Sequence, residues 1–302
     1  MAGPTCLPVE TVENKNGNQW AFCPSLPAAI LFTVLFAIVS AVHIFLARKY
    51  RTTFAWAIIM AALWEFLSFA IRIGSIYNPT SRGIYIPQFL LFLLAPLWVN
   101  AFDYMLLGRM VFQYLPDQKL FRIRAQRMAL FWVILDIASF IIQIGGGLLV
   151  VSDDPKVQQN GLHIYTAGLA LQLFFILVFS YLVFEFWKRV SREGMVEHKV
   201  AAKKLVITLY CSLTLISIRI IYRLLEFASD FNSALTQELW NHEVYQYALD
   251  ATPMFFALIV MIIVHPGTVL PGDLSTFKPI STSIQQSQMR EKDAPQSSSI
   301  EA

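Results

Sequence analysis

Charge is what this chain has least of. Only 14% of its 302 residues are Asp, Glu, Lys or Arg, while 56% are hydrophobic, and a water-soluble domain averages about 25% charged. That balance argues against an ordinary soluble enzyme, because the apolar excess has to face something other than water. An excess of one sign is missing too: 23 basic against 20 acidic residues leave +3, too little for the dense cationic face of a nucleic-acid binder. Cysteine is scarce. Cys6, Cys23 and Cys211 cannot build a disulfide scaffold and show no metal-ligand spacing. Cys6 and Cys23 both precede the first apolar run, so an exported N-terminal segment could bridge them, two free thiols being the alternative. Cys211 lies within an apolar run and is expected in the core.

The signatures of several chemistries are also absent. No Gly-rich Walker loop occurs, so the chain does not power itself by ATP hydrolysis, and Gly145-Gly146-Gly147 closes no phosphate loop. These glycines instead suit a close helix approach or a break. There is no HExxH, and His43, His163, His198, His242 and His265 are scattered, so neither a metal nor another cofactor is expected. The last apolar run contains no lysine to carry a retinal Schiff base. No serine, histidine and acid set can be assembled at matching depths, so no catalytic residue is assigned and a membrane enzyme is the weakest reading.

What the chain does have is long apolar runs. The first, Leu26 to Leu46, covers the ~30 Å hydrocarbon layer at ~1.5 Å per residue. Comparable runs follow at Phe54–Tyr77, Ile86–Phe112, Arg127–Val151, Leu162–Trp187, Lys203–Phe227 and Val244–Val264, with turn formers such as Asn78-Pro79, Asp153-Asp154-Pro155 and Asp230-Phe231-Asn232 between them. The expected fold is all-α, a polytopic bundle of seven transmembrane helices over 26–267. An N-terminal segment, 1–25, precedes it, and a Ser- and Gln-rich disordered tail, 268–302, follows it.

Basic residues set the orientation. Thirteen fall on one side: Arg48, Lys49, Arg51, Lys119, Arg122, Arg124, Arg127, Lys188, Arg189, Arg192, Lys199, Lys203 and Lys204. The other side holds Lys15, Arg82 and Lys156. The N-terminus is therefore expected outside and the C-terminus in the cytosol.

Function should reside in what stays polar inside the spans, because an unpaired ionisable group in hydrocarbon costs at least ~2.5 kcal/mol. Those residues are Glu65 and Arg72, Asp103 and Arg109, Asp136 and Gln143, Gln172, then Arg219, Arg223 and Glu226, and Asp250. Glu65 and Arg72 are seven apart and share a helix face, as do Arg219 and Glu226. If the two faces meet, Glu65 lies across from Arg219 and Arg72 across from Glu226, leaving Arg223 for Asp250. Such a ladder is either structural glue or the lining of a polar crevice. Five embedded acids against four bases leave one acid over. Asp103 or Asp136 is the expected surplus, with Arg109 near both, and it is either protonated or receives a cationic amine.

At these residues the sequence resembles the fungal lipid-translocating exporter family of seven-span membrane proteins, associated with aminocholesterol resistance and sphingoid long-chain-base export. The acid seven residues before an arginine matches Glu65 and Arg72, with Ser68-Phe69 in place of the usual Gly-Tyr. Tyr104-Met105 and Gly108-Arg109 match, although Asp103 is not typical. DIASFIIQIGGG from Asp136 matches closely, and Gly161, Gly168 and Gln172 keep their spacing. The most specific block is RIIYRLLEF from Arg219, followed by Glu243, Tyr247 and Asp250 and then His265-Pro266-Gly267. The resemblance implies a plasma-membrane translocase or exporter of amphipathic lipids, a sphingoid base or a sterol-like amine. On physical grounds a polar intramembrane groove between the second, sixth and seventh spans would shelter the headgroup while the tail stays in the bilayer. Its partners would be membrane lipids and the amphipathic substrate, with no nucleic acid. The alternative is a seven-helix lipid or stress sensor that transports nothing.

Overall fold

Seven helices long and apolar enough to cross a bilayer make up the described chain. The structure is a computed structural model, described over residues 19–270 apart from 21, 122, 151–153, 194–195 and 229–233. Arg122, Asp230 and most of both terminal segments lie outside the described residues, as does Cys6. Cys23 is disulfide-bonded.

Helix α1 (Leu26–Lys49) starts where Ser25 accepts the Ala28 amide at 3.4 Å, with Pro27 in the first turn, where its missing N–H leaves no gap. Arg48 and Lys49 end it, complementing the C-terminal carbonyls. A 3-10 turn (Thr53–Ala55) leads into α2 (Trp56–Tyr77). Helix α3 (Arg82–Tyr114) contains Pro87 and Pro96, and a two-residue β-hairpin, Lys119–Leu120 with Ile123–Arg124, joins it to α4 (Ala125–Val150). Helix α5 (Pro155–Glu193) begins earlier than the expected Leu162. Asp154 caps it by accepting the Lys156 amide at 2.9 Å, and proline suits a first helical position. Its 39 residues span about 58 Å and outreach the hydrocarbon layer. Helix α6 is Val196–Ala228, and a short helix α7 (Ala234–Asn241) lies before the seventh span.

That last span is not one regular helix. A first turn, α8 (Glu243–Gln246), widens into a π turn (Tyr247–Ala251) and returns to α geometry as α9 (Thr252–Ile263), ending in a turn α10 (Pro266–Val269). Pro253 cannot donate to the preceding turn, which permits the wider winding there.

Consecutive spans pack side by side, and α9 closes the bundle between α6 and α1. Helix α3 sits innermost, with 61% of its apolar window buried against 28% for α1. The outer surface carries Ile38, Phe45, Leu130, Ile141, Leu148, Phe174, Leu177 and Ile263, as a lipid-facing surface requires. Cys211 is exposed among them, contrary to the expected core position; a small apolar thiol loses nothing by facing lipid. The triple glycine does not break α4. A Cβ on Gly146 would come within 2.7 Å of the Gly161 carbonyl, so this glycine lets α4 and α5 approach backbone to backbone.

Candidate intramembrane ion network

Arg219 of α6 is the centre of the site. Its Nη1 donates to Glu65 Oε1 of α2 at 2.9 Å, its Nε meets Asp250 Oδ1 of the π turn at 2.7 Å, and its Nη2 donates to the Phe92 carbonyl at 2.6 Å. The last contact has a cause in sequence: Phe92 lies four residues before Pro96, which has no N–H to bond that carbonyl, so α3 offers the arginine a free acceptor. One turn farther along α6, Arg223 Nη2 meets Asp250 Oδ2 at 2.5 Å and its Nη1 donates to Glu226 Oε2 at 2.9 Å. The Phe92 ring lies under both guanidiniums, at 4.7 and 5.4 Å. Glu65 and Asp250 are wholly buried, and Arg219 and Arg223 nearly so. Each ion has an opposite charge, which is what makes such burial tolerable in a bilayer.

Two pairings expected from the sequence are therefore present, Glu65 with Arg219 and Arg223 with Asp250. A third is not. Arg72 does not meet Glu226; its Nη2 donates to Glu243 Oε1 at 2.7 Å and to Gln246 Oε1 at 2.9 Å. Glu226 instead folds back three residues onto Arg223 of its own helix. The physical reason is that Glu243 and Asp250 repeat the seven-residue interval on a span running in the opposite direction. The outer acid opposite Arg72 thus comes from the seventh span rather than the sixth.

Arg72 is covered by a strap ahead of α1. The Trp20 ring lies 4.6 Å from its guanidinium carbon and the Tyr247 ring 5.2 Å. Trp20 Nε1 donates to Ser75 Oγ at 3.1 Å, and the Ser25 amide donates to Glu243 Oε2 at 2.6 Å. Trp20, Ser75 and Gln246 were not expected at the site. Trp20 had one legible signal, an indole just before an apolar run, where interfacial aromatics collect.

The remaining candidates form a second set, held by neutral hydrogen-bond donors rather than by ion pairs. Asn100 Nδ2 and the Tyr104 hydroxyl both donate to Asp136 Oδ2 at 2.9 Å, Ser212 Oγ donates to Asp103 Oδ2 at 2.7 Å, and Gln143 Nε2 donates to Gln172 Oε1 at 3.1 Å. The expected proximity of Arg109 to both acids is not found. Its guanidinium lies over Phe54 at 4.4 Å, and neutral donors serve Asp103 and Asp136 instead. Asn100 and Ser212 were missed because an amide and a hydroxyl in an apolar run carry no charge to announce them. No group of three or more metal-ligating side chains occurs among the described residues.

Fold and site together define a seven-helix membrane protein built around a buried ion network. The chain belongs to the RTA1-like family, whose model matches residues 58–273. It is similar to the protein named probable lipid transporter atnI of Emericella nidulans, at 35% identity over 92% of this chain and 76% of that one. It is 30% identical to the lipid-translocating exporter-like protein RTA1 of Leptosphaeria maculans, over 86% of this chain and 53% of that one. A Saccharomyces cerevisiae relative named sphingoid long-chain base transporter RSB1 is 25% identical over 90% of this chain and 79% of its own. No solved structure matches.

Proposed function

We propose that this chain carries amphipathic lipids across the bilayer, as the names of its relatives describe for them, and that its cargo is an amine-bearing lipid such as a sphingoid base or sterol-like amine. The observation that carries the choice of cargo is the charge balance of the network. Glu65, Glu226, Glu243 and Asp250 are four carboxylates, and Arg72, Arg219 and Arg223 are three guanidiniums. Without cargo the network is one positive charge short, and an ammonium headgroup supplies it while its hydrocarbon tail stays in lipid. The plasma membrane, with the N-terminus outside and the C-terminus cytosolic, is the setting that the basic residues and the family favour. Carriage, not catalysis, is the role.

One observation favours a second reading, a lipid sensor: Glu65, Arg219 and Asp250 are interlocked and closed to solvent in this conformation. The test is transbilayer movement of a fluorescent sphingoid base in vesicles containing the purified protein. Movement above that of empty vesicles, lost in D250N, supports translocation. Binding without movement supports sensing and overturns the proposal.

A further inference from the structure

Asp103 and Asp136 lie outside the ion network, and their surroundings set them apart from every other buried acid of the bundle. Both are buried, 0 and 2% exposed. The groups that donate to them are neutral: Ser212 to Asp103, Asn100 and Tyr104 to Asp136. Among the described residues neither makes a salt bridge, and Asp103 Oδ1, Asp136 Oδ1 and Asn100 Oδ1 have no hydrogen-bond donor.

Among the described residues, neighbouring elements bring no free base to either acid. Helix α9 contains no titratable residue, and α1 offers His43, whose Nε2 is bonded at the Leu258 carbonyl. Glu65 and Arg72 on α2 and Arg219 and Arg223 on α6 are engaged in the network. Tyr210 of α6 donates to the Ser180 carbonyl, and Glu185 of α5 pairs with Lys188 near the basic end. Arg127 of α4 is nine residues from Asp136, about two and a half turns away. On α3 itself Arg109 lies over Phe54. Two bare carboxylates among neutral groups in hydrocarbon would each carry the full cost of an unpaired ion, and binding a proton removes it.

We propose that Asp103 and Asp136 are proton-binding sites, protonated in this conformation, which release their protons in exchange for the ammonium of the cargo. The exchange half rests on the translocation reading. One carboxyl O–H bond breaks for each ammonium that passes from the network to the carboxylate left behind, the proton leaves to water, and net charge in the bundle is the same as before cargo entered.

Infrared spectra of the reconstituted protein test the proton half without any transport. The carbonyl band of a carboxylic acid is expected at neutral pH, weakened in D103N and in D136N and retained in E65Q, which removes a wholly buried acid of the ion network. A wild-type spectrum without that band, or one unchanged in both Asn variants, overturns the proposal, and the wild-type result stands even if a variant fails to fold. For the exchange half, an imposed pH gradient should accelerate sphingoid-base movement several-fold in wild type, while D103N and D136N retain only gradient-independent movement. Movement in wild type indifferent to the gradient overturns the exchange. No movement under any gradient overturns the translocation reading and the exchange with it, leaving the infrared band to decide the proton sites.

Discussion

Removing Arg219 should cost this bundle far more stability than removing Asp250. Arg219→Gln leaves Glu65 wholly buried with no cation, and it takes from the Phe92 carbonyl a donor that Pro96 makes necessary. An orphaned buried charge of this kind costs about 3–5 kcal/mol. Asp250→Asn deprives no ion of its last partner, because Arg219 keeps Glu65 and Arg223 keeps Glu226. Its cost should be near that of weakening one hydrogen-bonded contact, about 1–2 kcal/mol. Reversible unfolding in mixed detergent and SDS micelles measures both. Adding Glu65→Gln to Arg219→Gln should recover about 2 kcal/mol or more, since it removes the bare carboxylate. Equal costs for the two single variants, or no recovery in the double variant, would refute the assignment of Arg219 as the shared partner.

Among the glycines, Ala at position 146 or 168 should destabilise by about 1–3 kcal/mol, because the new Cβ would meet the Gly161 carbonyl at 2.7 Å or the Ser139 carbonyl at 3.0 Å. Ala at 145 or 147 meets open space and should be neutral or stabilise by up to about 1 kcal/mol through helix propensity, as the same unfolding titration will read. In a background with Cys211 replaced by serine, a cysteine at wholly buried Ser75 should react slowly with a membrane-impermeant thiol reagent. Trp20→Ala should speed that reaction at least tenfold, and equal rates would show that the strap covers nothing.

Apolar run length was enough to read the spans, because a bilayer demands about twenty apolar residues and little else competes for that pattern. The inner half of the network was legible for a similar reason. Glu65, Arg219, Arg223 and Asp250 are charged where charge is costly, and helical spacing fixes which faces they occupy. The outer half was not legible. Pairing Arg72 required knowing that the seventh span starts with Glu243 at the level of Arg72, and that the segment before α1 folds back to lay Trp20 on it. Neither is a periodicity. The π turn was equally hidden, since Pro253 predicts a disturbed helix without specifying how it widens.

The closed state of the network and a carrying role are compatible because of how Asp250 is shared. It is held by two arginines, each of which has a second acid elsewhere: Glu65 for Arg219 and Glu226 for Arg223. If the seventh span shifts at its π turn and withdraws Asp250, neither arginine is left bare, and the group released is a single carboxylate. Pulling α2 from α6 instead strands Glu65 without a cation, and pulling the first turn of the seventh span from α2 strands Arg72 without an anion. The least costly opening of this bundle therefore exposes an anion alone, the species an ammonium headgroup would neutralise, and it does so where Pro253 and the widened turn already loosen the helix.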